Sequence, residues 1–528
     1  MNHIELFAGC GGLSLGLETA GFKLLFANEL SPMASESFAY NHLNTDLTSD
    51  SDPANVFWVS SMHDRNSIKS RLRENPYDAI GLQEQHFSDL LDIKPTNEQL
   101  NRSLLVGSIV DVNKILDAGN TSLLEQFRTA LGQGEVDLVS GGPPCQSFSL
   151  AGMRDHTHHR NELPWEFAKF VEKIKPKMTM LENVSGILRA FKIDGEQYYA
   201  WFEVAKAFAK VGYIPLCLHV NAKYAGVAQN RPRFILLAFR EDIALILSNK
   251  LDSEFKSALK KSIDFYQSIK SGEELPYGSL KCFDIEKDSG LFEDSILSSL
   301  YSNDKKLPTV KDALDDLRSE NIGESKYVSK INNTYINYHD HRLNKQKNHE
   351  LRANNPKVKA RFRLYQILSR IDKVSSKEIV RYLKTSGAEP ISTSTLSKLT
   401  GYWLLDLTGG EIKKPTKEQV ITILSGLYTK KQTQKALVEG QPAPAALSIP
   451  DDACHYHQSI ESQRTLTVRE MARIQSFPDW FEVRSKVTTG GQMRKFEVPQ
   501  YTQIGNAVPP LLGLALGNIC RELLILAE

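Results

Sequence analysis

The sequence predicts an α/β fold in which a mainly parallel β-sheet is covered by helices. Over the first 240 residues, short apolar segments alternate with amphipathic segments of helical period, which is the pattern of βαβ units. Several apolar segments run directly into loops rich in glycine, proline or polar residues. Such loops are expected at the carboxyl edge of an open α/β sheet, where these folds bind their ligands.

The first βαβ unit occupies residues 3–27. Residues 3–7 and 22–27 are predicted strands, residues 8–12 (AGCGG) form a glycine-rich loop, and residues 13–20 are helical. A glycine-rich turn between a strand and a helix lets the backbone approach a nucleotide closely. Glu29, at the end of the second strand, can accept hydrogen bonds from ribose hydroxyls. The glycines do not follow GxGxxG, so a tight structural turn remains an alternative.

The later part of this region predicts four more strands and two helices. The strands are expected at 136–140, 178–181, 214–220 and 233–239, and the helices at 165–174 and 202–211. Residues 47–134 are polar and irregular, with strands expected near residues 79 and 104. After residue 240 the alternation of strands and helices is lost, and residues 440–446 (GQPAPAA) are typical of a linker.

Three loops carry residues suited to chemistry. Cys145 follows two glycines and two prolines, and a thiolate on so rigid a loop can act as a nucleophile; a small buried hydrophobic residue is the alternative. Glu182 ends a strand, where a carboxylate is costly to bury without a partner, although it could be a helix cap or a surface charge. Arg231 and Arg233 suit a clamp for an anion or a carboxylate, or are simply solvated.

Composition excludes several classes of protein. Hydrophobic residues make up 41% and charged residues 24%, so a packed core is expected and extensive disorder is not. The six cysteines include no CxxC pair, which predicts no disulfide framework, no metal site and a reducing, cytoplasmic location. No signal peptide or membrane span is predicted. Net charge is +1, but residues 326–377 hold 13 Lys/Arg and 3 Asp/Glu, a local charge of +10.

Six motifs in this order resemble those of the DNA cytosine-5 methyltransferases of bacterial restriction–modification systems. Two of them contain the glycine loop and Cys145, two contain Glu182 and the arginine pair, and two lie near the C-terminus. The matching segments are 6–21 (LFAGCGGLSLGLETAG), 142–149 (GPPCQSFS), 182–184 (ENV), 229–233 (QNRPR), 464–481 (RTLTVREMARIQSFPDWF) and 501–510 (YTQIGNAVPP).

The resemblance implies a Rossmann-like catalytic domain that binds S-adenosylmethionine, with S-adenosylhomocysteine as product. Residues 1–244 would form its first part, with an insertion near 60–100. Residues 245–460 would form a smaller target-recognition domain, and residues 461–528 would complete the catalytic domain. A helix at 511–526 would then dock beside the first βα unit.

The resemblance also implies roles for individual residues. Cys145 would attack C6 of a flipped-out cytosine, Glu182 would contact the base edge, Arg231 would orient the base and Glu182, and Arg233 would support that loop. The cofactor would be bound by residues from the glycine loop, from later strand ends and from the C-terminal motif. These are Phe7, Gly9, Cys10, Gly11, Gly12, Glu29, Ser108, Pro144, Asn506 and Ala507.

One position departs from the family pattern. Ser108 lies where the family often has an aspartate that binds the adenine amine, so either Ser108 or Asp111 would make that contact. In the recognition region, residues 375–406 resemble a helix-turn-helix, with residues 392–397 facing the major groove.

The implied partner is double-stranded DNA, with a possible cognate restriction endonuclease acting on the same site, and the enzyme is expected to be a monomer. Three alternatives compete with this hypothesis. An RNA cytosine-5 methyltransferase would usually place its nucleophile in a Thr-Cys motif at residues 182–184, where this chain has no cysteine. A minority of RNA enzymes share the DNA-type motifs, and the long basic recognition region argues against that branch. A nucleotide-dependent oxidoreductase would need the missing glycine pattern. A catalytically dead relative would be expected to lose Cys145, Glu182 or the glycines.

Overall fold

The computed structural model describes residues 1–49, 53–144, 163–193, 196–251, 254–301, 306–318, 323–429, 434–445, 453–459 and 462–528. Nine strands form its central sheet. They are β1 (Asn2–Leu6), β2 (Lys23–Glu29), β3 (Val56–Trp58), β4 (Ser103–Val106), β5 (Leu138–Gly141), β6 (Met178–Val184), β7 (Tyr213–Asn221), β8 (Pro232–Arg240) and β9 (Cys282–Asp284).

The sheet has the spatial order β9-β7-β8-β6-β5-β1-β2-β4-β3. Among the described strands, every pairing in this sheet is parallel except the two that β8 makes with β6 and β7. The predicted α/β fold with a mainly parallel sheet is therefore confirmed. Its strands are almost wholly buried, as expected for parallel strands covered on both faces.

The predicted helices of the first 240 residues are present with small shifts in their ends. The expected segments 13–20, 165–174 and 202–211 correspond to Gly12–Thr19, Leu163–Ile174 and Ala200–Lys210. The other helices in the described residues up to 300 are Pro32–Leu43, Ile68–Arg71, Asp89–Asp92, Asn97–Leu100, Ile109–Asp117, Thr121–Arg128, Glu241–Lys250, Glu254–Lys270 and Ser289–Glu293.

Two strand predictions need correction. No strand lies near residue 79 within the described range 53–144; the edge strand there is β3, and residues 72–81 form turns. The alternation of strands and helices also continues past residue 240, because β9 pairs in parallel with β7. Both β3 and β9 have three residues, which is too short to show a reliable period.

The C-terminal helix Pro510–Ala527 packs against the helix Gly12–Thr19, so the predicted docking is confirmed. A β-carbon at Gly16 would lie 2.3 Å from the backbone nitrogen of Leu514 and 2.4 Å from the carbonyl carbon of Gly513. Only glycine permits so close an approach of two helices. By length and hydropathy alone this helix could cross a membrane, but most of its residues are buried in the protein core.

The rest of the chain contributes to two cores. Residues 254–335 and 437–527 pack into the core around the main sheet, whereas a separate apolar cluster lies within residues 360–454. The predicted domain boundaries near 244 and 460 stay predictions. Helices in this part are Val310–Leu314, Lys326–Thr334, Pro356–Leu368, Lys373–Lys384, Thr393–Leu399, Lys417–Gly426, Val468–Ile474 and Gln500–Asn506.

Short strand pairs complete the described structure, and a helix pair lies in the expected helix-turn-helix. The Glu378 carboxylate of Lys373–Lys384 accepts a hydrogen bond from Ser392 Oγ at 3.0 Å and another from Thr395 Oγ1, which fixes the second helix, Thr393–Leu399. Its role in reading DNA stays a prediction. The pairs are Phe191–Ile193 with Glu196–Tyr198, Gln229–Asn230 with Ala443–Pro444, Leu404–Leu405 with Glu411–Ile412, and Lys435–Ala436 with Ala453–Cys454.

Candidate active site

A cavity of about 250 Å³ lies at the carboxyl ends of the parallel strands. Because β1, β2, β4, β5 and β6 run in the same direction, the loops that follow them meet at one edge of the sheet. The C-terminal segment after residue 505 closes the same cavity. Of the residues predicted from the sequence, its wall includes Phe7, Gly9, Gly12, Glu29, Ser108, Pro144, Glu182, Asn506 and Ala507.

The glycine loop is held against the cavity by Glu29. Its Oε2 accepts a hydrogen bond from the backbone nitrogen of Gly9 and its Oε1 one from that of Ser31, both at 2.8 Å. Burial raises the pKa of Glu29. Gly9 has a φ of +57°, and a β-carbon there would meet no protein atom within 4 Å. The loop therefore presents open backbone, with a carboxylate beside it, to a ligand.

Two predicted cofactor-binding residues do not line this cavity. Cys10 is buried, and its thiol lies 3.9 Å from the carbonyl oxygen of Gln503; burial raises the pKa of Cys10 to about 12, so the thiol stays protonated near neutral pH. Gly11 faces the other way, because a β-carbon there would lie 2.2 Å from His42 Nε2. Both residues shape the loop from behind the cavity wall, and the cofactor contact implied for them stays a prediction.

Glu182 and Arg233 form the charged pair of the site. Arg233 Nε lies 2.5 Å from Glu182 Oε1, and both side chains are about one-tenth exposed. The Cα register explains the contact, since antiparallel pairing places Arg233 opposite Val184, two residues from Glu182 and on the same face of the sheet. Glu182 also approaches the loop after β5, where a β-carbon on Gly142 would lie 3.0 Å from Glu182 Oε2.

Arg231 has a different neighbourhood from the one expected. Its Nη2 donates hydrogen bonds to the carbonyl oxygens of Gly505 at 3.0 Å and Ala507 at 2.9 Å. Arg231 precedes β8, so it lies farther than Arg233 from Glu182 along the strand direction. The contact with Glu182 belongs to Arg233, which corrects the sequence prediction, and Arg231 instead fixes the segment that carries Asn506.

The loop that bears the predicted nucleophile is only partly described. Asn183 Nδ2 donates a hydrogen bond to the carbonyl oxygen of Pro143 at 3.0 Å, and Pro144 lies in the cavity wall. Cys145 itself, within residues 145–162, lies outside the described residues. The described part of the loop leads from β5 past Glu182 and into the cavity.

Ser108 and Asp111, the two candidates for the contact with the adenine amine, have different surroundings in the structure. Ser108 caps the helix Ile109–Asp117 and lines the cavity. Both carboxylate oxygens of Asp111 accept from the backbone nitrogen of Gly81 at 3.1 Å, and Asp111 is absent from the cavity wall. The geometry therefore favours Ser108 for a contact with a ligand.

Sequence reasoning missed several residues of the wall. Glu5 of β1 accepts a hydrogen bond from Ser14 Oγ, and burial raises its pKa to about 8. Its position inside an apolar strand was a signal that could have been used. Pro76, Tyr77 and Ile80 of the insertion and Phe496 also line the cavity, and no sequence pattern marked them.

Comparison with known proteins gives a family match over most of the chain. The family model described as C-5 cytosine-specific DNA methylase matches residues 1–55 and 111–522. Type II methyltransferase M.DdeI of Desulfomicrobium norvegicum is 25% identical over 523 residues, covering 98% of this chain and 88% of its own length. Type II methyltransferase M.AgeI of Thalassovita gelatinovora is 25% identical over 545 residues, covering 99% of each chain.

A solved structure described as a putative DNA modification methyltransferase encoded within an E. coli prophage aligns with 99% of both chains, at 19% identity and a TM-score of 0.45. The family model covers most of the chain, including strands β1, β2, β5 and β6 beside the cavity and the C-terminal segment that closes it. The chain therefore belongs to the C-5 cytosine-specific DNA methylase family and is a DNA cytosine-5 methyltransferase.

Proposed function

We propose that this enzyme transfers a methyl group from S-adenosylmethionine to C5 of a cytosine within a specific duplex DNA sequence, through a covalent bond between Cys145 and C6. The observation that carries the proposal is that Glu182, which is paired with Arg233, and the glycine loop border one cavity. Pro144, which directly precedes Cys145, lines the same cavity. A carboxylic acid, a glycine-rich loop and the segment that leads to the proposed nucleophile therefore border one cavity.

The residues present fit S-adenosylmethionine. The cavity offers the ring of Phe7 to an adenine, the carboxylate of Glu29 to ribose hydroxyls and the hydroxyl of Ser108 to a polar edge. The open space above Gly9 admits a ligand close to the backbone. Asn506, held in place through Arg231, closes the cavity from the C-terminal side. When bound, the cofactor supplies an electrophilic methyl group on its sulfonium.

The protein must activate the cytosine ring, because C5 alone is a weak nucleophile. The Cys145 thiolate would form a bond to C6, while Glu182 hydrogen-bonds the N3 edge and supplies a proton as negative charge develops there. The electron pair then available at C5 accepts the methyl group, and loss of the C5 proton breaks the bond between sulfur and C6. Acid–base assistance of this kind contributes about 10²–10⁴-fold in rate, and covalent catalysis divides the reaction into easier steps.

The substrate base must leave the duplex to reach this cavity, at a cost of a few kcal/mol. Residues 245–460 would read the target, and the excess of positive charge in residues 326–377 suits contact with phosphates. We further propose a role in a restriction–modification system, in which a cognate endonuclease cuts the unmodified site. The enzyme would act in the cytoplasm as a monomer.

The test uses purified enzyme, radiolabelled S-adenosylmethionine and mixed-sequence duplex DNA, with structured RNA in parallel. We expect 5-methylcytosine in the DNA alone, identified by mass spectrometry and mapped by bisulfite sequencing. Cys145→Ala should abolish methyl transfer and covalent trapping but retain cofactor binding, whereas Cys282→Ala serves as a control cysteine remote from the cavity wall. Turnover by Cys145→Ala comparable to that of the wild type would refute the covalent mechanism, and label in RNA alone would refute the substrate.

A further inference from the structure

The internal segment that the family model leaves unmatched, residues 56–110, supplies part of the cavity wall. Within it, residues 60–100 form the insertion predicted from the sequence, which we call the insert. Pro76, Tyr77 and Ile80 of the insert line the cavity beside the family-matched residues. The insert therefore forms part of the cavity wall as well as part of the protein surface.

The turn that carries Tyr77 is fixed on both sides. Ser60 Oγ donates a hydrogen bond to the carbonyl oxygen of Ala79 at 2.5 Å. The backbone nitrogen of Gly81 donates to both carboxylate oxygens of Asp111 at 3.1 Å. Since Asp111 lies in the helix that Ser108 caps, the turn is attached directly to the element that carries a predicted cofactor contact.

A buried ion pair anchors the remainder of the insert. Arg71 Nη1 donates to both carboxylate oxygens of Asp89, at 3.1 and 2.9 Å, and Asp89 also accepts from the backbone nitrogen of Trp58 at 2.8 Å. Arg71 and Asp89 are almost completely buried. Charge-assisted hydrogen bonds are stronger than neutral ones, so this buried pair, together with the Asp89–Trp58 bond, holds the insert against β3.

The insert meets a second aromatic residue across the mouth of the cavity. The ring centroids of Tyr77 and Phe496 are 6.2 Å apart, with an interplanar angle of 59°, which is a favourable distance for an aromatic pair. Both rings are partly exposed and both line the cavity. Pro76 and Ile80, which flank Tyr77 in the sequence, also line a small adjoining recess together with Ser108. Tyr77 therefore lies at the end of the cavity near β4.

We propose that Tyr77 is a cofactor-binding residue whose ring packs against the adenosine end of S-adenosylmethionine, and that Phe496, packed against Tyr77, helps to cover the same end. This inference rests on the proposed function, because it takes the cavity to be the cofactor site. Glu29 and Ser108, the groups suited to ribose and adenine, lie at the strand ends near the insert, whereas Glu182 lies across the cavity on β6. An aromatic side chain can stack on the face of any nucleobase, including the adenine of this cofactor.

Binding of S-adenosylhomocysteine, measured by isothermal titration calorimetry without DNA, tests the proposal. We expect Tyr77→Ala to raise its Kd about 10- to 100-fold, in line with the loss of a base–aromatic contact. Tyr77→Phe should bind nearly as the wild type does. Phe87→Ala is the matched control, because Phe87 is an exposed aromatic residue of the same insert that does not line the cavity.

A second probe, 5′-methylthioadenosine, contains the nucleoside but not the amino-acid part of the cofactor. Tyr77→Ala should weaken its binding by the same factor as that of S-adenosylhomocysteine. Weakening of S-adenosylhomocysteine alone would overturn the placement at the adenosine end, and a Kd for Tyr77→Ala within about twofold of the Phe87→Ala value would overturn the proposal. If Tyr77→Ala does not fold, Phe496→Ala carries the same test with the same expected loss.

The outcome is separable from that of the proposed function. A wild-type enzyme that binds S-adenosylhomocysteine but makes no 5-methylcytosine would refute the proposed reaction, while the Kd ratios still decide the role of Tyr77. A wild-type enzyme that does not bind S-adenosylhomocysteine would overturn both.

Discussion

Replacement of Glu5 by glutamine should change how the stability of the enzyme depends on pH. Glu5 lies in the central strand β1, is 2% exposed, and receives a hydrogen bond from Ser14 Oγ. Burial raises its pKa from 4.5 to about 8. A carboxyl group with a raised pKa in the folded state favours folding when it is protonated. The folded state therefore loses stability as the pH rises from about 4.5 through about 8.

The size of the effect follows from the two pKa values. A rise from 4.5 to about 8 corresponds to about 5 kcal/mol at high pH, at about 1.4 kcal/mol per pH unit. Between pH 5.5 and 8.5 the wild type should lose about 3 kcal/mol through this group. Glu5→Gln keeps an acceptor for Ser14 but cannot ionise, so it should not show this loss.

Urea unfolding at pH 5.5, 7 and 8.5 gives the comparison. The difference in the free energy of unfolding between Glu5→Gln and the wild type should grow in favour of the variant by about 3 kcal/mol across this range. Glu522→Gln, at an exposed position of the C-terminal helix, is the control and should follow the wild type. Parallel pH profiles for Glu5→Gln and the wild type would refute the reasoning.

Three further substitutions test other parts of the structure. Gly16→Ala should lower the free energy of unfolding by about 1–3 kcal/mol, because its methyl group would clash with the C-terminal helix. The control Gly440→Ala, at an open position, should change the midpoint of thermal unfolding little. Equal midpoints for the two variants would contradict the packing argument. Arg473→Met removes the nearest cation from two buried carboxylates, those of Asp316 and Asp479, and should cost about 3–5 kcal/mol by urea unfolding. A loss under 1 kcal/mol would count against this role. Arg233→Met should lower the rate of 5-methylcytosine formation about 10²–10⁴-fold by freeing Glu182, while calorimetry shows an unchanged cofactor Kd; weaker cofactor binding with normal turnover would reverse that assignment.

Most of the central sheet could be predicted from the sequence, because its strands are continuous apolar runs that end in distinctive loops. The strand ends at Phe7, Glu29 and Glu182 follow directly from that pattern, and parallel strands bring such ends to one edge. The edge strands β3 and β9 could not be found, since three residues carry no detectable period. They are strands only because a neighbouring strand pairs with them.

Side-chain direction was harder to predict than position. Cys10 and Gly11 are inside the loop motif, yet the left-handed backbone at Gly9 and Gly11 turns them away from the cavity. The choice between Arg231 and Arg233 depends on the register between β8 and β6, which adjacent sequence positions do not reveal. Tyr77 is brought to the site by tertiary contacts, among them those of its turn with Asp111 and Ser60, so no local pattern could mark it.

The two halves of the cavity wall are made at very different times during synthesis. The glycine loop leaves the ribosome first, whereas Asn506, the carbonyl groups bound by Arg231 and the helix packed on Gly16 come nearly 500 residues later. At about 5–20 residues per second, that interval is roughly 25–100 s. Throughout it, the helix Gly12–Thr19 exposes the apolar face that Pro510–Ala527 later covers. A nascent chain should therefore be a client of chaperones, and its cavity cannot be complete before the segment around Asn506 has been made.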